Sequence, residues 1–403
     1  MALKSHPGSH QLRILFSVGF LYLSFGIYFG LLEQGVPPIL LDRGLDLTSM
    51  GWVIALYIPF GLTFLWAPMI DGKALPWLGY RMGWIVLSQL VSSLLLIVIA
   101  FAGAASAKLL FGLGIVACIA IATMDLTLDA LAVDIVGPRY RAMAAGLKVA
   151  ALGLGGLIGG GVLVGSFDQL GWTGTFLVTA VIPLLILLPV LSLMPEDKPR
   201  AMSAMPASIL ITFCRPGALR QIVLLSLSTT ATVALVYFQR PILVEMGVPL
   251  SDIGWGLGTL APIANSIAAL AVAPILARTA PVKALALLVI LSVIFSIGTV
   301  VSISATSSRA VMVWSLLQGI GSSALSVIIY ALILKWSSQE QSATDYAVLC
   351  GISRLLATVT LMAVPQALPY LNWAGFYAIT IGTLLVVTFL IRREVAHLAE
   401  VGP

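Results

Sequence analysis

Residues 38–52 read PILLDRGLDLTSMGW, and residues 241–255 read PILVEMGVPLSDIGW. Seven of the fifteen positions are identical at a constant offset of 203. Asp42 against Glu245 and Thr48 against Ser251 add two chemically matched pairs. A shorter echo joins GWTGTF (171–176) to NWAGFY (372–377) at an offset of 201. Gly-Trp pairs are common at membrane interfaces, but a fifteen-residue match at corresponding places argues for an internal duplication. The chain therefore reads as two related halves.

The halves are apolar throughout. Of 403 residues, 60% are hydrophobic and 9% charged, and the mean hydropathy is +1.08. A soluble domain carries about 25% charged residues. Apolar runs of about twenty residues recur over the whole length, enough to cross a bilayer as helices. The expectation is an all-α polytopic membrane protein with 12 transmembrane helices, at 12–34, 48–70, 82–102, 107–134, 141–166, 172–194, 218–240, 250–277, 283–303, 309–334, 342–367 and 371–391 (spans 1 to 12). The polar start MALKSHPGSHQLR runs directly into a full-length span, which argues against a cleaved signal peptide. Cys118, Cys214 and Cys350 share no metal or redox spacing.

With the N-terminus inside, 15 of the 21 Lys/Arg fall on the cytoplasmic side, and Arg43, Lys108, Arg240 and Arg309 fall outside. This satisfies the positive-inside rule and places both termini in the cytoplasm. It also accounts for the net charge of +5 without nucleic acid. The domains follow as a six-helix half at 1–195, a cytoplasmic linker at 196–217 and a second six-helix half at 218–403. Two parallel six-helix halves resemble the plan of the major facilitator superfamily.

In that plan spans 3, 6, 9 and 12 face lipid, and in this chain none of the four carries a charge in its interior. The charges sit elsewhere. Asp125 and Asp129 share one face of span 4 at a spacing of four, Lys148 is on span 5 and Arg354 on span 11. At about 1.5 Å per residue, all four lie between the midplane and the cytoplasmic side. A charge near the bilayer centre costs about 2.5–3.5 kcal/mol on insertion scales, so it is kept near a partner or water. Two readings stand: a polar cavity that binds an anionic solute, or a salt-bridge network that locks spans 4 and 5. The substrate-binding candidates are Lys148, Arg354, Asp125, Asn265 and Gln318; the last two serve equally well in helix–helix hydrogen bonds. The gating or proton-coupling candidates are Asp71, Arg81, Asp129, Asp134, Arg141, Glu33 and Arg240. Asp134 is expected near Arg139 and Arg141, and Gln34 and Gln239 accompany Glu33 and Arg240 at the outer helix ends. The glycine run GLGGLIGGGVLVG (153–165) reads as close packing and a hinge in span 5.

The stretch FLWAPMIDGKALPWLGYRMGWIVLSQ (64–89) resembles the span 2–loop–span 3 signature of the muropeptide-permease (AmpG) and acetyl-CoA transporter branch of the superfamily. Its core is Leu65, Trp66, Ala67, Pro68, Asp71, Gly79, Arg81 and Trp84. Asp125, Asp129 and Asp134 reproduce the D-x3-D-x4-D pattern of that branch. LYLSFGIYFGLLEQGVPPILLDRG (21–44) is most similar to siderophore permeases of the RhtX/FptX type. Muropeptide permeases of the branch usually carry two further helices and an Arg-rich loop where this chain has GYRMG. The resemblance thus implies a secondary transporter of a small organic anion in a bacterial inner membrane. Siderophore import is the first expectation and muropeptide transport the alternative. The expected partners are a small-molecule solute, membrane lipid and, as a candidate coupling ion, a proton; the chain is expected to act as a monomer without a cofactor. An enzyme is not expected, since His6, His10 and His397 all lie in the tails. The other rival is a non-transporting membrane assembly factor.

Overall fold

The computed structural model describes residues 7–72, 75, 79–136, 141–197, 213–278, 281–336 and 342–396. All regular structure among them is helical. Ten stretches are long and apolar enough to cross a membrane. One of them, Val348–Ala396, holds spans 11 and 12 joined at Asn372, and the helix Thr259–Arg278 supplies span 8. The expected twelve helices are all present.

The duplication is visible in the backbone. Gly44 and Gly247, 203 residues apart, both have positive φ, at 91° and 76°. Each closes a Schellman motif of the same form: Gly44 N–H bonds Leu41 O and Leu45 N–H bonds Leu40 O, while Gly247 bonds Val244 O and Val248 bonds Leu243 O. Gly171 (φ 62°, ψ −174°) and Asn372 (φ 51°, ψ 178°), 201 residues apart, make matching breaks between spans 5 and 6 and between spans 11 and 12. The internal repeat is therefore a repeat of turn geometry as well as of sequence.

The chain packs as two units: residues 1–35 with 65–204, and residues 36–64 with 205–403. In chain order 36–64 belongs with the first half; by packing it belongs with the second unit. The reason is a set of glycines that let span 2 reach the backbone of span 11. A Cβ on Gly51 would lie 2.6 Å from Met362 O, one on Gly61 2.8 Å from Leu355 Cα, and one on Gly351 3.0 Å from Gly61 O. Ile54 of this segment joins the core built from Leu235, Phe238, Ile242, Val311, Phe376 and Tyr377.

In the first unit the span 5 glycine run meets span 1. A Cβ on Gly155 would stand 2.6 Å from Gly26 Cα, and one on Gly30 2.7 Å from Gly156 Cα. Small residues replace side-chain interdigitation with direct backbone contact, the usual device where lipid supplies no hydrophobic drive between helices. Both helices loosen to π-helical turns just beyond, at Leu31–Gly35 and Leu157–Val162.

Span 3 (Met82–Phe101) shows how a lipid-facing helix is built. Leu87, Leu90, Leu94, Val98 and Phe101 form an exposed apolar stripe at helical spacing, while Ser88, Gln89, Ser92 and Ser93 are buried. Ser93 donates to Ala180 O at 2.8 Å and shares a 2.7 Å hydrogen bond with Tyr28; Gln89 donates to Pro183 O. Span 9 repeats the design, with Leu287, Ile290, Ile294, Ile297 and Val301 exposed and Ser292, Ser296, Thr299 and Ser302 buried.

Candidate functional site

Within the first unit, spans 1, 4 and 5 bring three polar side chains together. Lys148 Nζ donates to Asp129 Oδ1 at 2.5 Å, and the Tyr22 hydroxyl donates to the same oxygen at 2.6 Å. The ammonium also lies 5.0 Å from the centroid of the Tyr22 ring, within cation–π range. Asp125 is one turn away on the same helix face. The pair is half-open: the Lys148 and Asp129 side chains keep 32% and 46% of their exposure. Such a pair can exchange partners, which a fully buried one cannot do without a large desolvation cost.

Glycine packing sets this geometry. A Cβ on Gly19 would meet Leu147, so spans 1 and 5 approach closely beside Lys148 and present it to Tyr22. Nearby, Trp66 Nε1 donates to Thr123 Oγ1 at 3.1 Å, and Thr123 donates to Ile119 O. Asp129, which accepts from Lys148, had been assigned to gating rather than to the solute site. Tyr22 was missed altogether, since nothing in the spacing of span 1 marks it.

At one end of the same unit Arg81 Nε lies 3.2 Å from Asp134 Oδ2, with 10% and 13% side-chain exposure. Asp134 was expected beside Arg139 and Arg141 and was grouped with Arg81 among the gating candidates; the described contact is to Arg81, at the start of span 3. The side chains of Asp71 and Arg141, and all of Arg139, lie outside the described residues. Asp197, not singled out from the sequence, accepts from the Arg81 and Met82 amides at 2.7 and 2.8 Å. Burial raises its pKa above the usual carboxylate range, against the lowering effect of those hydrogen bonds. Glu33 and Gln34 fall in the π-helical turn of span 1, and Gln34 packs against Gly160.

In the second unit Arg354 is exposed on span 11. Gln318 is 1% exposed and bonds Ser296 of span 9 at 3.1 Å, which is the helix–helix role weighed from the sequence. Asn265 packs against Gly319 of span 10. Arg240 and Gln239 are buried at the end of span 7, where Gln239 donates to Leu235 O. Among the described residues, no group of three or more His, Cys, Asp and Glu could hold a metal ion.

A family model described as Major Facilitator Superfamily matches residues 14–239, more than half of the chain. The chain belongs to the Major Facilitator Superfamily. It is 24% identical over 378 residues to the anhydromuropeptide permease of Escherichia coli K12, covering 89% of this chain and 76% of that one. It is 19% identical over 396 residues to a putative transporter AmpG 4 of Rickettsia felis, covering 92% and 96%. An uncharacterized protein of Haemophilus influenzae is 32% identical over 179 residues, a match that spans 43% of this chain and 41% of that protein. Among solved structures, a POT family transporter in complex with 5-aminolevulinic acid superimposes with a TM-score of 0.72 at 12% identity over 98% of both chains. The nucleoside transporter NupG does so at 0.71 and 14%, over 95% of this chain and 99% of that one. At these identities the structures speak to fold alone. This superfamily member is a multi-pass membrane transport protein of AmpG-like type, and its relatives with a named activity are transporters, not enzymes.

Proposed function

We propose that this protein is a secondary transporter of a small organic anion in a bacterial inner membrane, with both termini cytoplasmic, and that the solute is of the muropeptide class. The observation that carries it is the half-open Lys148–Asp129 pair with Tyr22 beneath it. A part-exposed lysine held by a carboxylate has a stored binding capacity: an incoming anion replaces the carboxylate. The displaced Asp129 keeps the Tyr22 hydroxyl and is the natural proton acceptor, so proton coupling belongs to the same reading. Arg354, exposed on span 11 of the second unit, is proposed as an anion-binding candidate of that unit.

The choice of solute class follows the comparisons. The sequence resemblance put siderophore import first, on span 1 and on the expected helix count. The relatives that cover most of this chain carry muropeptide-permease names, and they move the preference to that alternative.

The test is uptake of a labelled anhydromuropeptide into proteoliposomes, with and without an inward proton gradient. Saturable uptake lost in Lys148→Ala and retained in part by Lys148→Arg is the expected result. Wild-type vesicles that exclude the muropeptide while exchanging a ferric siderophore would restore the siderophore reading. Vesicles that move neither would favour a non-transporting assembly role.

A further inference from the structure

The C-cap of span 6 is a carboxylate that the transport reading leaves unused. Asp197 follows the last turn of span 6 and is 6% exposed. Its Oδ2 accepts from the amides of Arg81 and Met82 at 2.7 and 2.8 Å, and the Tyr80 amide adds a third contribution. These are the amides that open span 3, where no carbonyl of the helix can reach them. Gly79, immediately before, has φ +85°, and a Cβ there would stand 2.6 Å from Asp197 Oδ2. A side chain is therefore excluded twice, by backbone conformation and by the seated carboxylate. The loop is shaped around that group.

Arg81 belongs to two contacts at once. Its backbone amide holds Asp197, and its guanidinium holds Asp134 at the end of span 4. The Tyr80 ring lies 4.8 Å from the guanidinium carbon and limits its swing. Where the Arg81 side chain reaches depends on where its backbone is pinned, and Asp197 does the pinning.

We propose that Asp197 is a positioning residue for the Arg81–Asp134 pair, a latch through which the end of span 6 controls the rim of the first unit. Spans 3, 4 and 6 are tied by this one arginine. Unseating Asp197 releases span 3 from span 6 and withdraws Arg81 from Asp134. The inference rests on the transport reading only for its consequence, namely that the rim pair gates the cycle; the latch itself is independent of any solute.

The experiment uses the purified full chain and needs no substrate. Amide hydrogen exchange over residues 80–84 is measured for the wild type, Asp197→Asn, Asp197→Ala and Gly79→Ala. The Asn variant keeps a side-chain oxygen to accept the amides, so it retains protection. The Ala variant loses a charge-assisted acceptor, so exchange speeds by about tenfold or more; Gly79→Ala does the same by closing the seat. A double-mutant cycle then combines Asp197→Ala with Asp134→Asn and reads thermal midpoints. If Asp197 acts through the pair, the double variant melts no lower than the worse single one. Additive losses, or an Asn variant as unprotected as the Ala variant, overturn the proposal. Muropeptide uptake measured beside these assays separates the two readings: wild-type vesicles that fail to take it up refute the solute class and leave the exchange result standing.

Discussion

Lys148 Nζ and the Tyr22 hydroxyl both donate to one oxygen of Asp129, at 2.5 and 2.6 Å. A carboxylate shared in this way restrains the lysine without burying it. Removing Asp129's charge weakens its hold on Lys148 in favour of an anionic ligand, whereas removing Lys148 takes away the ligand's partner. Asp129→Asn is therefore expected to bind an anhydromuropeptide more tightly than the wild type. Lys148→Ala is expected to bind it about ten- to a hundredfold more weakly, as for loss of a charge-assisted hydrogen bond worth roughly 1.5–3 kcal/mol. Titration beside a thermal melt checks both. Two variants with equal losses of stability and unchanged affinity would mean that the pair only fastens spans 4 and 5.

The matching breaks at Gly171 and Asn372 carry different residues in the same backbone region. That region is essentially restricted to glycine, and a side chain there costs of order 1–3 kcal/mol. Asn372 recovers part of this because its Oδ1 accepts the Gly375 amide at 3.0 Å. Asn372→Gly exchanges strain for a lost cap and should fall within about 1 kcal/mol of the wild type. Asn372→Ala keeps the strain and loses the cap, and should melt clearly lower. Gly171→Ala gains strain without a cap and should be the worst of the three. Thermal midpoints in one detergent rank them.

Span 5 tests close packing against a neutral control. A Cβ on Gly155 would stand 2.5 Å from the carbonyl carbon of Gly26, and one on Gly159 would press on Ile27 O. Both obstacles are backbone, so the helices must separate, and either alanine variant should lose about 1–3 kcal/mol or more. Gly112 on span 4 has nothing within 4 Å of its Cβ position. Its alanine variant should be neutral or up to about 1 kcal/mol more stable, from helix propensity. Equal effects at all three sites would remove the packing argument.

Asp197 gives a pH dependence with a definite sign. Its folded-state pKa is raised, chiefly by burial. A raised carboxyl pKa means that the fold holds the proton more tightly than the unfolded chain does. The associated stability is fully present below the unfolded value, near the ordinary carboxylate range, and is lost as pH rises through the raised folded value. Asp197→Asn cannot ionise. The wild type should therefore lose stability relative to this variant on going from acid to neutral pH. Melting curves of both proteins across that window check it; a gap that widens toward acid would reverse the assignment.

The sequence by itself determined the class, the twelve helices and the duplication, because each is written in a local or periodic signal. A bilayer demands about twenty apolar residues per crossing, and the Gly44 and Gly247 turns need glycine wherever they occur. It also singled out Asp129, Lys148, Arg81 and Asp134, because charge is rare enough in such a chain to be conspicuous. Tertiary structure alone decided their partners. Spacing puts Asp125 and Asp129 on one helix face but cannot say where Lys148 reaches; the approach of spans 1 and 5, set by glycine contact, brings its ammonium onto Asp129. Tyr22 and Asp197 carried no sequence signal, one being an aromatic among aromatics and the other a loop acid among loop charges. The same holds for residues 36–64, which follow span 1 in the chain but pack on span 11, since Gly51 and Gly61 matter only where another backbone comes close enough to need them.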